Sequence, residues 1–219
     1  MIDGILLIDK PAEMTSFGVV ARVRRVLSNQ QGKKVKVGHT GTLDPFATGL
    51  MIIVVGKECK NAGTYSKLDK VYEATIQLGH TSTTGDPEGV LTAVSDRQPT
   101  REEIEQTLRQ FVGTITQRPP IYSAIKIDGE RAYKLARAGK AVEVPERQVV
   151  VHSIELIEYS YPVLRIRAHV GSGTYIRTLA QDIGEALGTG AYTTQLRRTS
   201  IAEWLIDQAV TLESMGVAD

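Results

Sequence analysis

Residues 50–55 read Leu-Met-Ile-Ile-Val-Val, an unbroken apolar and largely β-branched run stopped by Gly56. A run of this length and composition is predicted to be a buried strand, so the chain must build a sheet around it. The twelve residues before it are Gly-His-Thr-Gly-Thr-Leu-Asp-Pro-Phe-Ala-Thr-Gly, residues 38–49. Three glycines and a proline make this stretch turn tightly, and His39 and Asp44 stand among small residues that leave both side chains accessible. A polar loop feeding a core strand is a usual place for binding or chemistry.

The loop is preceded by an unusual charge pattern. Residues 14–43 contain no acid, yet Arg22, Arg24, Arg25, Lys33, Lys34 and Lys36 all fall there. The net charge of +1 would not by itself point to nucleic acid, but an acid-free basic segment can line a groove while acids such as Glu102, Glu103 and Glu105 gather elsewhere. The single cysteine, Cys59, excludes an internal disulfide framework and a thiolate-only zinc site. Asp3 follows Met1 closely, so no signal peptide is expected, and no apolar run approaches the ~20 residues of a membrane span. A cytoplasmic protein is expected.

The 219 residues suit one large domain, expected to span 1–219, without linker or internal repeat. Residues 2–8 read as a strand broken at Lys10-Pro11. Ser16 is predicted to cap a helix whose apolar face is Val19, Val20, Val23, Val26 and Leu27. Residues 71–78 alternate, with Tyr72, Ala74, Ile76 and Leu78 on one side, as a half-buried strand does. Thr100 and Glu103 form a capping box opening a helix to about Gln110. Residues 147–159 and 163–170 read as neighbouring strands, the second placing Arg165, Arg167 and His169 on one face. Thr174 is predicted to cap a helix striped by Ile176, Leu179, Ala180, Ile183 and Leu187, with Gly188 as its stop. The expected fold is α+β, with a mixed, largely antiparallel sheet flanked by helices and loops.

Several chemistries can be weighed on these residues. His39 and Asp44, with His80 and Asp86 in the similar loop 79–86, match no metal-ligand spacing. The glycines of the first loop lack the Gly-Lys-Ser/Thr of a phosphate cradle, and Gly171-Ser172-Gly173 is not a nucleophile elbow. In residues 118–148, Arg118, Lys126, Arg131, Lys134, Arg137, Lys140 and Arg147 are interleaved with Tyr122 and Tyr133. Cations with aromatics between them can follow a phosphate backbone and offer stacking faces, though a surface hairpin and helix would look similar.

Four separated segments resemble the TruB-type tRNA pseudouridine synthases. Residues 38–49 are similar to that family's catalytic loop and Lys70-Val71-Tyr72 to its active-site tyrosine strand. Gly173-Thr174-Tyr175-Ile176-Arg177-Thr178-Leu179 resembles its arginine motif, and Gln195-Leu196-Arg197-Arg198-Thr199 its C-terminal active-site strand. Arg118-Pro119-Pro120-Ile121-Tyr122-Ser123-Ala124 and the Tyr-Lys-Leu-Ala-Arg that follows resemble its RNA-gripping insertion, expected at about 118–148.

The resemblance implies isomerisation of a T-loop uridine of tRNA, position 55, to pseudouridine. It makes Asp44 the carboxylate that attacks the nucleoside, at ribose or base. Arg177 would pair with Asp44, and Tyr72 would stack the flipped uracil and assist proton removal from C5. Tyr175 and Leu196 would pack the pocket, and His39 would sit against displaced loop bases. Thr42, Arg118, Tyr122, Lys126 and Arg197 are further candidate RNA contacts.

No metal and no organic cofactor is implied, nor an obligatory protein partner; a monomer acting on the T-arm stem-loop is expected. Relatives commonly continue into a PUA domain, which this chain is expected to lack. Glu13 stands where the family commonly has glycine, and Ser172 replaces a usual lysine, so one turn and one phosphate contact are expected to differ. Two alternatives remain at this point. One is an RNA-binding or RNA-folding protein that only grips the loop, against which the set Asp44, Tyr72 and Arg177 argues. The other is the same chemistry on another tRNA-like loop, as in guide-RNA-directed relatives of the dyskerin type.

Overall fold

A computed structural model describes residues 3–216, apart from 122, 124, 128, 133, 134, 136, 137 and 139–143. Thirteen strands are placed among them: β1 (Gly4–Lys10), β2 (Val37–His39), β3 (Thr48–Val55), β4 (Lys70–Leu78), β5 (His80–Ser82), β6 (Leu91–Ala93), β7 (Gly113–Gln117), β8 (Lys126–Ile127), β9 (Glu130–Arg131), β10 (Arg147–Ser160), β11 (Val163–Val170), β12 (Ala191–Ile201) and β13 (Trp204–Leu205). The helices are α1 (Ser16–Gln31), α2 (Ala62–Ser66), α3 (Arg101–Gln110) and α4 (Ile176–Ala186). The class is the expected mixed α+β. The chain divides into two compact units, residues 1–72 with 196–219, and residues 73–195. Strands β4 and β12 each contribute residues to both.

In the first unit β3 is the centre, and residues 49–55 are buried without exception. One edge of β3 pairs antiparallel with β1, from Gly4↔Val55 to Lys10↔Gly49. The other edge takes β12 in parallel at Arg197↔Thr48 and Arg198↔Gly49, then β2 antiparallel from His39↔Ile53 to Val37↔Val55. A strand with neighbours on both edges and apolar contacts on both faces explains why its sequence shows no alternation. Leu50, Ile52 and Ile201 form one apolar cluster with Ile5, Leu7, Tyr65, Leu68 and Trp204, each fully buried aliphatic side chain contributing roughly 1.5–3 kcal/mol.

Helix α1 buries Val19, Val20, Val23 and Leu27, as its spacing predicts. Its N-cap, however, is Thr15, whose hydroxyl accepts from Gly18 N at 3.0 Å. Ser16 is released from that duty and reaches the loop instead. Just before it, Glu13 holds φ at +61°, a left-handed conformation that glycine adopts without cost. The turn therefore keeps the backbone shape of a glycine while carrying a side chain.

In the second unit β10 pairs antiparallel with β11 and with β7, and β4 lies on the far side of β11. Strand β4 alternates buried and half-buried along its length, as its sequence predicts. Helix α3 carries the expected capping box between Thr100 and Glu103. Helix α4 buries the expected stripe, but its N-cap is Tyr175 and no side chain caps it. Thr174 instead donates to Gly171 O at 2.9 Å. Within residues 118–148, β8 and β9 form a two-stranded hairpin. Tyr122, Tyr133, Lys134, Arg137 and Lys140 lie outside the described residues.

Gly49 is the tightest point of the first unit. Its φ is +107°, and a Cβ there would stand 2.3 Å from Arg198 O, a backbone atom that cannot give way. Gly49→Ala should lower the unfolding free energy by about 3 kcal/mol or more, read as a drop in the urea midpoint. A shift of only a few tenths of a kcal/mol would mean that β3 and β12 can separate there at little cost.

Candidate active site

In the first unit the loop 38–49 is tied down at both ends and in the middle. Thr40 N and its hydroxyl both donate to Ile52 O, at 3.2 and 3.3 Å. The Ser16 hydroxyl accepts from Leu43 N at 2.8 Å and donates to Leu43 O at 3.0 Å, so α1 grips the residue next to Asp44 by both backbone groups. Ala47 N donates to Asp44 O at 3.1 Å, closing a turn through Pro45. Lys10 Nζ donates to Pro45 O at 3.1 Å and Pro11 O at 2.7 Å. Loops fixed by this many buried bonds hold a side chain in one place.

Arg198 completes the clasp. It is 1 % exposed, with Nε donating to Leu50 O at 2.7 Å and Nη2 to Gly41 O at 3.2 Å. Its Nη1 lies 3.5 Å from the Tyr72 hydroxyl, and its guanidinium carbon is 6.0 Å from the centre of that ring. Tyr72 is itself buried, on the core face of β4. The loop backbone, β3 and the tyrosine are thereby held by one planar group.

Two lysines flank this arginine and are both buried. Burial is the main reason that Lys10 falls from 10.5 to about 8; the Asp44 carboxylate opposes the drop and Arg198 adds to it. Lys70 also falls to about 8, first through burial and then through Arg198, with Asp69 opposing. Its ammonium donates to Ser66 O at 2.8 Å and to Leu68 O. Lys10 and Arg198, both bonded to backbone carbonyls of the loop, place positive charge on it, a setting that favours an anionic ligand.

His39 ends β2 and is half-buried, Thr42 is exposed at the loop tip, and Leu196 is buried in β12. Arg197, the neighbour of Arg198, faces the other way and makes a two-pronged pair with Asp9 at 2.7 and 3.1 Å. An Arg-Arg pair in a strand sends one side chain to each face. Sequence reasoning selected Arg197 and missed Arg198; the alternation from buried Leu196 was the signal that could have found it.

In the second unit Arg177 is 3 % exposed on the first turn of α4. Its Nη1 donates to Thr84 O at 2.7 Å and to Asp86 Oδ2 at 3.0 Å. Asp86 is buried as well, its other oxygen accepting from Glu88 N at 3.1 Å and from the Thr84 hydroxyl. Asp86 was weighed only as a metal ligand from sequence, and its role as the acid of a buried ion pair was not legible because 91 residues separate the partners. Tyr175 is half-buried beneath the Arg147 guanidinium, 5.1 Å from ring to carbon. Gln117 brackets its backbone, accepting from Tyr175 N at 3.0 Å and donating to Tyr175 O at 3.2 Å. Arg118 is exposed and paired with Glu146 at 2.8 Å. Lys126 lies in β8, its side chain and the whole of Tyr122 being outside the described residues.

Comparison with known proteins settles the family. Residues 24–176 match the TruB family pseudouridylate synthase (N terminal domain), and residues 177–218 the tRNA pseudouridylate synthase B C-terminal domain. The chain belongs to the TruB family. Its relatives include the tRNA pseudouridine synthase B of Azoarcus sp. (strain BH72), 46% identical over 98% of this chain and 70% of the relative. The tRNA pseudouridine synthase B of Phocaeicola vulgatus is 45% identical over 96% of this chain and 90% of its own length. Among solved structures, a chain of a Cbf5-Nop10-Gar1 complex superposes with a TM-score of 0.74 at 30% identity, covering 96% of this chain. This TruB-family chain spans about half, 52%, of that solved chain.

The two depressed lysines set a pH dependence. Unfolded, Lys10 and Lys70 keep their protons up to about 10.5; folded, they release them near 8. The unfolded state thus binds more protons between these values, and stability rises with pH from about 8 to 10.5. Lys10→Met with Lys70→Met should flatten that rise, measured as urea midpoints across this range. An unchanged slope in the double variant would show that neither lysine is buried as a charge.

Proposed function

We propose that this chain isomerises a uridine in the T loop of tRNA, position 55, to pseudouridine, acting as a single catalytic domain over residues 1–219. The observation that carries the reading is the loop of Asp44, clasped by Ser16, Lys10 and Arg198, with Tyr72 on the same arginine. Family membership supports the reaction class, and the curated relatives' shared name supports tRNA as the substrate.

The chemistry is an exchange of one bond for another. The N1–C1′ glycosidic bond breaks, the uracil turns, C5 bonds to C1′, and C5 gives up its proton while N1 gains one. Asp44 supplies the attacking carboxylate, with Lys10 as a neighbouring charge and a loop fixed so that little reorganisation is needed. Tyr72 offers its ring to the uracil and assists removal of the C5 proton, its hydroxyl oriented by Arg198 Nη1 at 3.5 Å. Arg177, aligned by Asp86 and Thr84 O, serves as a fixed guanidinium toward the substrate.

The target base must leave its loop, at a cost of a few kcal/mol, and stacking on aromatic side chains returns ~1–3 kcal/mol per base. His39 and Leu196 of the first unit and Tyr175 of the second each serve the displaced bases, while Thr42, Arg118, Tyr122, Lys126 and Arg197 contact the RNA. The protein works as a cytoplasmic monomer without an obligatory protein partner. Identity to the synthase B relatives, 45–46%, exceeds the 30% to the Cbf5 chain, which favours the tRNA reading over a guide-directed one.

Incubation with a T-arm stem-loop labelled with tritium at uracil C5 tests this directly. Wild type should release label to water and Asp44→Asn should release none, while undiminished release by the variant would remove Asp44 from the mechanism. Asp86→Asn should lower the release rate by on the order of 10²-fold, because Arg177 loses the carboxylate that aims it. Circular dichroism on the same samples separates that loss from unfolding.

A further inference from the structure

Phe17 is 66 % exposed on the first turn of α1. A single exposed aromatic is ordinary, but this one is backed by a fixed cation. The Arg24 guanidinium carbon stands 5.9 Å from the ring centre, and Arg24 Nη2 is anchored by donating to Val37 O at 3.1 Å. The ring is one residue from Ser16, whose hydroxyl holds Leu43 by both backbone groups. Phe17 is therefore rooted beside the clasp of the loop that carries Asp44.

Further cations of α1 are unspent. Arg97, Arg101, Arg165, Arg167, Arg177 and Arg197 all pair with carboxylates. Among the described residues Arg22 and Arg25 have no such partner, and their segment, residues 14–43, contains no acid. Arg22 also lines a pocket of about 200 Å³ together with Lys10, Thr48 and Arg197, with Asp9 and Glu213 on its wall. An exposed aromatic ring and unpaired guanidinium groups on the same helix fit a ligand with a planar ring and a negative backbone.

We propose that Phe17, backed by Arg24, is a stacking platform for an unpaired base of the substrate RNA next to the isomerised uridine, with Arg22 taking a phosphate of the same strand. The proposal rests on the reading of the chain as a tRNA uridine isomerase. Stacking on an aromatic tolerates any base, so the platform adds affinity and holds the loop open without reading sequence. Arg22 and Arg25 add the salt-dependent part of binding.

The test uses the full chain and the T-arm stem-loop, with filter binding for affinity and tritium release for kinetics. Phe17→Ala should raise both Kd and KM about 10-fold, with the loss falling on KM rather than kcat, and Phe17→Trp should restore them. Arg22→Gln should reduce the slope of log affinity against log salt by about one. An unchanged Kd and KM in Phe17→Ala, or an equal loss in Phe17→Trp, would overturn the platform. Filter binding separates this from the underlying reading: absent tritium release by wild type sinks the isomerase, whereas the Phe17 series still reports whether a base stacks there.

Discussion

The buried guanidinium of Arg198 is the interaction on which the first unit depends. A charged group at 1 % exposure is costly unless its donors are satisfied, and here they reach Leu50 O, Gly41 O and the Tyr72 hydroxyl. Each acceptor belongs to a different piece of the site: the core strand, the loop and the tyrosine strand. Moving any one of them leaves a donor stranded, so the three are fixed together. Gly49 makes this possible, since any side chain there would collide with the Arg198 backbone.

The same arrangement sets the electrostatics. Arg198 helps hold Lys10 and Lys70 near 8, and Asp44 is the acid that opposes this at Lys10. Stability is given up to keep cations buried, and the return is a loop that favours an anion. The second unit solves a similar problem differently. There Arg177 is neutralised by Asp86, and its direction is set by Thr84 O and by the backbone bracket of Gln117 on Tyr175.

Much of this was legible in the sequence because it rests on local patterns. The apolar run 50–55, the alternation in β4, the capping box at Thr100 and the stripe of α4 each appear where periodicity predicts them. The motif resemblance rests on the same kind of short, local segments. What escaped was non-local. Ser16 is a poorer N-cap than Thr15 here because its hydroxyl is used 27 residues away. Arg198 and Asp86 matter through partners 126–157 and 91 residues distant, and no window of the sequence contains both ends. Glu13 is a different case, a residue other than glycine that holds a left-handed φ of +61°.

The claim that one buried guanidinium organises the loop of Asp44 is tested most directly by Arg198→Lys, which keeps the charge and removes the planar fork. The measurement is the single-turnover rate of tritium release, with circular dichroism to establish that the variant is folded. A lysine cannot bridge Leu50 O and Gly41 O while facing Tyr72, so the rate should fall by on the order of 10²-fold in a folded protein. A folded Arg198→Lys protein that turns over at the wild-type rate would contradict the account.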